Sequence, residues 1–267
     1  MPKPEGRRRP VVQSVARTLA LIEHVAAEDE LGLVELAERT GLQPSTAHRL
    51  LSTLIECGYV VQSARTSRYR LSYKVIQLAG SAEQRIQRLR SVVRPQLVAL
   101  RDRTGETSNL VVLDRFTTVY VDQVESSRSV RMHTAIGRSV PAHANAGGKA
   151  MLAFLPDAAI DDIASRPLEA LTERTITDPE ALREELVHAC SRGYAVDDEE
   201  YEEGVVSVAA PVLGNGGLVH AAGAVSGPAA RMHARDLDEL GGLVAELMLE
   251  ASVELGYERG APSPTVP

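Results

Sequence analysis

The sequence predicts an α+β protein of two modules joined by a helix, and three observations carry that prediction. Apolar residues recur at three- and four-residue steps through the first module and again beyond it. Strand-like runs then follow one another with short turns, the pattern of an antiparallel sheet carrying helices. The charge also changes sign along the chain. Met1 to Lys74 holds 11 Lys and Arg against 8 Asp and Glu, a net of +3, which leaves 18 against 28, a net of −10, for the remainder. A basic front on an acidic body is expected when one module meets a polyanion.

Composition sets the outer limits. At 267 residues, 44% hydrophobic and 24% charged, the chain has the balance of a globular protein with a core. No run approaches the ~18 apolar residues of a membrane helix, and the basic start has no apolar stretch behind it, so a cytoplasmic protein away from membranes is expected. Cys57 and Cys190 cannot form a disulfide framework. His133, His143, Cys190 and His220 lack metal-ligand spacing, and no metal or cofactor is expected. Aromatics are 3% with no Trp, so a ligand pocket would use aliphatic walls, backbone amides and a few polar groups.

Residues 1–12 are rich in Pro, Gly and Arg and read as a disordered basic arm around Arg7, Arg8 and Arg9. The first module, 13–73, opens with a helix from Ser14 whose apolar face is Val15, Leu19, Ile22, Val25 and Ala26. A short helix, Leu33 to Thr40, stops at Gly41. Pro44 suits the first turn of a third helix running to Glu56 or Cys57, and Gly58 ends it. Extended runs Tyr59 to Gln62 and Tyr69 to Tyr73 flank a polar tip. That order is a winged helix-turn-helix.

In the third helix Ala47, Leu50, Leu51 and Leu54 share one side. Ser45, Arg49 and Ser52 lie opposite, with Thr46, His48 and Thr53 on the flanks and Gln43 at the entry. This face is short and polar, with one Arg able to span a guanine edge, as major-groove reading requires. Arg65 and Arg68 with Thr66 on the hairpin, and Arg17 on the first helix, suit phosphate contacts. The alternative is a solvated face used for protein contact.

Residues 74–90 form a linker helix with a narrow seam of Val75, Leu78, Ala82, Ile86 and Leu89. Such a seam suits dimerisation or packing within the chain. In 91–257 the pattern gives a helix Val92 to Thr104, then strands Ser108 to Leu113, Thr118 to Val124 and Val130 to Ala135. Helices Lys149 to Leu155, Ala158 to Ala164 and Pro179 to Ser191 follow. Next come strands Tyr194 to Asp198, Val205 to Val212 and Val219 to Val225, then a final helix His233 to Leu255. Residues 258–267 read as a disordered tail.

His143 to Ala150 looks like a phosphate loop but lacks its first Gly and its Ser or Thr after Lys149. Asn145 can cap a helix there, leaving the amides of Ala146, Gly147 and Gly148 for a small carboxylate. Alternatively, the two glycines only let the helix approach a strand. Asp197, beside an apolar run, and Ser207, a small polar residue in a buried strand, can meet a ligand hydroxyl. Ser207, a carboxylate and His143 also permit a hydrolase triad on paper. Ser207, however, lacks the glycines of a nucleophile elbow.

These pieces taken together resemble the IclR family of bacterial transcriptional regulators from Ser14 to about Gly256. In the first module the resemblance rests on Ser14 to Arg17, Leu36 to Leu42, Ser45 to Leu51, Leu54, Gly58 to Val60 and Tyr69 to Leu71. In the second it rests on Pro141 to Ala144, Gly148 to Ala150, Gly193 to Glu200, Gly204-Val205, Ala209 to Val212 and Val225 to Pro228. It implies an N-terminal winged helix-turn-helix, a dimerising linker helix and a C-terminal GAF-like antiparallel-sheet effector domain. It further implies a homodimer or dimer of dimers on a palindromic double-stranded DNA operator. The effector would be a small organic acid, aromatic in some members, and the function repression of a catabolic operon rather than catalysis. By position the effector set falls on Val130, Met132, Val140, Ala146, Gly147, Asp197 and Ser207. Ser207 stands where cysteine is frequent, and Asn145-Ala146-Gly147 replaces the usual small-residue run.

Overall fold

A computed structural model describes residues 12–258, apart from the side chains of Ser81 and Ala82. The Arg7–Arg9 arm, the residues after 258 and the Ala82 side chain of the seam lie outside what is described. The chain divides into two compact units between Gln84 and Arg85.

The first unit holds α1 (Gln13–Ala26), α2 (Leu33–Thr40), α3 (Pro44–Glu56) and a hairpin of β1 (Val60–Gln62) with β2 (Tyr69–Leu71). Its core is Leu21, Val25, Leu36, Ala47, Leu51, Leu54 and Val60. Gly41 ends α2 at φ +64, a conformation that lets its N–H bond back to the helix and that a side chain would resist. The α1 face differs from expectation. Leu21 and Val25 are buried, whereas Val15 and Leu19 are about half exposed. Helices α2 and α3 cover the stripe through Leu21 and Val25 and leave the other apolar stripe outside.

Helix α4 (Lys74–Thr104) runs unbroken through the unit boundary with Pro95 inside it, where the sequence suggested two helices. Pro95 removes one backbone donor. Burial of Val92, Val93, Leu97 and Leu100 on the second unit's core offsets that loss. The seam divides too, because Ile86 and Leu89 pack against that same core while Leu78 stays 55% exposed.

The second unit continues with β3 (Thr107–Asp114), β4 (Thr117–Val124), β5 (Ser139–Pro141), α5 (Ala146–Leu152), α6 (Asp157–Ala164) and α7 (Pro179–Arg192). Strands β6 (Ala195–Asp198), β7 (Val205–Leu213) and β8 (Val219–Pro228) follow, then α8 (Ala229–Met232) and α9 (Leu237–Glu254). The strands form one antiparallel sheet in the order β5-β4-β3-β8-β7-β6. Period-two alternation splits its faces. Leu110, Val206, Val208 and Val225 meet α4 and α9, while Val111, Ala195, Ala209 and Ala222 meet α5, α6 and α7.

One expected strand is absent and two helix starts moved. Val130 to Ala135 is not a strand, because side chains hold that segment instead of a ladder. Thr107 Oγ1 donates to the Met132 carbonyl at 2.8 Å, and Arg231 donates to that of Val130 at 3.0 Å. Helix α5 begins at Ala146 rather than Lys149, since Asn145 Oδ1 accepts from the Gly148 N–H at 2.8 Å and caps it. The final helix begins at Leu237, where Asp236 accepts from the Asp238 and Glu239 amides.

Candidate nucleic-acid interface and ligand site

Burial of Ala47, Leu51 and Leu54 turns Ser45, His48, Arg49 and Thr53 outward, with Thr46 and Ser52 half-buried. Gln43, Arg17 and Arg65 are exposed as well. The side chains of Arg17, Arg49 and Arg65 make no hydrogen bond or ion pair with the described residues, so their donors face solvent. The hydroxyls of Ser52 and Thr53 donate to the carbonyls of His48 and Arg49 at 3.0 and 3.1 Å, which leaves their oxygens as acceptors.

Two hairpin residues are occupied. Arg68 Nη2 donates to Glu35 Oε2 at 2.6 Å, and Thr66 Oγ1 donates to Glu30 Oε2 at 3.0 Å. The Gly32 amide and then Arg68 hold the Glu35 carboxyl below the usual range. These contacts pin the wing to the start of α2, alongside the backbone bridge between Leu31 and Tyr69. The role of Glu30 and Glu35 as anchors was not read from sequence, because each looks like an ordinary exposed acid there. Arg65 and Arg70 remain exposed on the wing.

In the second unit strand register assembles a polar row on the α5 face. Asp197 pairs with Ser207 and Ser207 with Ser226, and the next strand brings Asn109 alongside. Ser207 Oγ donates to Asp197 Oδ2 at 3.1 Å, Asn109 Nδ2 to Ser226 Oγ at 3.4 Å, and Gln123 Nε2 to Asn109 Oδ1 at 3.0 Å. Asp197, Ser207, Ser226 and Asn109 are all buried. Asp197 Oδ1 also accepts the amides of Glu200 and Tyr201 at 2.8 and 3.3 Å. Burial pushes the Asp197 carboxyl up to about 6, against the pull of the Glu200 amide and Lys149. Asn109, Gln123 and Ser226 were missed by sequence reading. Asn109 and Ser226 carry the same signal as Ser207, a polar side chain in an apolar strand.

Lys149 is fully buried and pairs with Glu200, with Glu185 Oε1 at 3.7 Å. Burial raises the Glu200 carboxyl, and Lys149 opposes it. A buried lysine this well compensated anchors α5 to the β6–β7 turn.

The α5 N-terminus supports both readings of its glycines. The Gly148 amide is taken by Asn145, while those of Ala146 and Gly147 make no backbone hydrogen bond. A Cβ on Gly147 would lie 2.5 Å from Val111 Cγ2, and one on Gly148 would overlap the Ala142 carbonyl. Gly147 therefore permits close packing of α5 on β3, and Gly148 on the backbone at Ala142. Val140 is buried and Met132 half-buried, but Val130 is 68% exposed and is not brought to the polar row.

The hydrolase triad is not assembled. Ser207 donates to Asp197, and His143 Nε2 lies 3.0 Å from the Glu169 carbonyl. Among the described residues, Asp198, Glu199 and His233 are grouped closely enough to suit a metal ion. Arg174 already occupies Asp198 at 2.6 Å, and the Gly204 amide donates to Glu199 at 2.7 Å. No helix among the described residues is long and apolar enough to cross a membrane.

Comparison with known proteins matches these two arrangements separately. Residues 14–64 match the IclR helix-turn-helix domain and residues 84–253 the C-terminal domain of bacterial transcriptional regulator IclR. The acetate operon repressor of Salmonella typhimurium is 34% identical over 264 residues, covering 96% of each protein. The transcriptional repressor IclR of Escherichia coli is 34% identical over 93% of this chain and 92% of that one. A solved IclR-type regulator from Silicibacter sp. TM1040 superposes with a TM-score of 0.75 at 28% identity, covering 92% of this chain and 97% of that one. The fold is shared as well by an IclR homologue from Microbacterium hydrocarbonoxydans complexed with 4-hydroxybenzoate, at a TM-score of 0.73, 24% identity and coverage of 91% and 98%. With a helix-turn-helix in front and the effector-domain architecture behind it, the chain belongs to the IclR family of bacterial transcriptional regulators.

Proposed function

We propose that this regulator is a repressor of a catabolic operon, acting in the cytoplasm as a homodimer or dimer of dimers on a palindromic operator and released or retained by a small organic acid. The observation that carries the effector reading is the buried pair of Asp197 and Ser207 within the polar row. So many buried hydrogen-bonding groups on one sheet face suit a ligand bearing a hydroxyl or carbonyl. The unpaired amides of Ala146 and Gly147 suit the carboxylate end. That end lies away from Asp197, since an ionised pair of carboxylates in contact would repel. Val140 and Met132 serve as apolar wall, and Val130, on its exposed loop, plays a lesser part.

On the DNA side, the proposed base-reading set is Gln43, Ser45, Thr46, His48, Arg49, Ser52 and Thr53, with Arg17 and Arg65 on phosphates. Thr66 and Arg68 hold the wing in place as well as lying near the backbone. The test is a mobility-shift titration of the full chain on its own upstream DNA with a panel of small acids and their amides. A salt-dependent shift that acids alter and amides do not is the expected result. Equal action by the amides overturns the anion site, and a shift without salt dependence overturns the DNA reading.

A further inference from the structure

Strands β4 and β6 lie far apart in the sheet order, with β3, β8 and β7 between them. Their neighbourhoods nevertheless touch, because Arg138 Nη2 donates to the Tyr201 hydroxyl at 2.7 Å and its guanidinium lies 5.5 Å from that ring. The sheet is thus curled enough for residues at its two ends to close over the α5 face. Arg138 sits beside Tyr120, exchanging backbone bonds of 2.8 and 3.0 Å through Gly137 and its own carbonyl. Tyr201 sits beside Asp197, to which its amide donates.

Two features of this contact bear on ligand binding. Arg131, Arg174, Arg183, Arg192 and Arg231 each reach a carboxylate, whereas Arg138, among the described residues, donates to a phenol and makes no ion pair. The Tyr120 hydroxyl makes no hydrogen bond among the described residues, although the ring is largely enclosed and feels the charges of Asp197 and Arg138. Burial pushes this phenol up to about 12, so like an ordinary phenol it is a donor at physiological pH.

We propose that Arg138 is a specificity-determining residue of the effector site, exchanging the Tyr201 hydroxyl for the carboxylate of an acidic effector while Tyr120 donates to the same group. This rests on the reading of the polar row as the effector site, and it moves the carboxylate from the α5 amides to Arg138, whose positive charge offsets the repulsion of nearby Asp197. Arginine gives a carboxylate two parallel donors, where a phenol can accept only one, so the exchange favours the anion. The exposed charge also draws anions to the site before they bind.

The experiment is calorimetry on the full chain with benzoate, 4-hydroxybenzoate and lactate, each beside its amide. In the natural protein an acid should bind at least about tenfold more tightly than its amide, as expected for a charge-assisted contact. R138Q should lose that preference while the amide binds as before. R138K should recover part of it, and Y201F, which frees the guanidinium, should keep or strengthen it. Acid preference that survives R138Q overturns this inference and leaves the backbone amides as selectors. Equal binding of acids and amides by the natural protein, or binding of neither, overturns the effector-site reading itself and this inference with it.

Discussion

Asp197 is the residue whose titration can be followed through to the stability of the whole fold. Its unfolded carboxyl ionises near 3.8 and its folded one at about 6. Between those values the unfolded chain has released a proton that the folded chain keeps. The stability that the protonated form contributes is therefore complete below about pH 4 and lost as pH rises to about 6. Asp197→Asn keeps the shape without the buried charge. Relative to the natural protein it should gain on the order of 2–3 kcal/mol between pH 4 and pH 6 and stay level above, read by urea unfolding at each pH. The same variant should weaken the acid response about tenfold in a mobility shift. On the DNA side, Arg49→Ala should cost about 1–3 kcal/mol on the operator and relax base preference at one position. Arg65→Ala should weaken all sequences alike and lower the salt slope by about 1. Arg68→Ala breaks a contact to Glu35, so it should act through the wing's placement, and Glu35→Gln should reproduce part of its effect on operator binding.

At the scale of elements, one stripe of α4 is divided between packing on the effector-domain core and an exposed part that is proposed to dimerise. Leu78 is exposed and Ile86 packs on the effector-domain core. Leu78→Glu should therefore give monomers with an unchanged melting temperature, whereas Ile86→Glu should lower stability by about 2 kcal/mol whatever it does to assembly. Sedimentation together with thermal unfolding separates the two, and an unaltered dimer in Leu78→Glu places the interface elsewhere. Helix α5 is held to β3 by the absence of a side chain at Gly147. Gly147→Ala should cost about 1–3 kcal/mol by overpacking, and Val111→Ala in the same chain should restore part of it. An unchanged Gly147→Ala protein would mean that the helix has room to shift.

The whole molecule joins a basic reader to an acidic sensor, and the proposed assembly fixes what a footprint should show. Two winged helices related by a twofold axis read half-sites about one helical turn, or a multiple of it, apart. Footprinting on the chain's own upstream DNA should show two protected half-sites of inverted sequence. A single half-site bound by a monomer with equal affinity would contradict the dimeric reading.

Local sequence determined most elements of both modules, since their periodicity, caps and breakers act within a few residues. It did not locate β5, and it suggested a strand over 130–135 and a break in α4 that the fold does not have. Gly41, Pro44 and Gly58 punctuate the first module as their backbone preferences require. Asp197 and Ser207 were legible as candidates because a polar residue in an apolar strand needs a partner, and Asn109 and Ser226 were legible by the same rule. What sequence could not supply was long-range pairing. The register across β6, β7, β8 and β3 aligns the polar row, and two rival apolar stripes on α1 and α4 are sorted only by what packs against them. Arg68, Thr66 and Arg138 look alike in sequence as exposed donors. Only the tertiary fold brings Glu35, Glu30 and Tyr201 to them, because these partners lie 33 to 63 residues away and no local rule spans that distance.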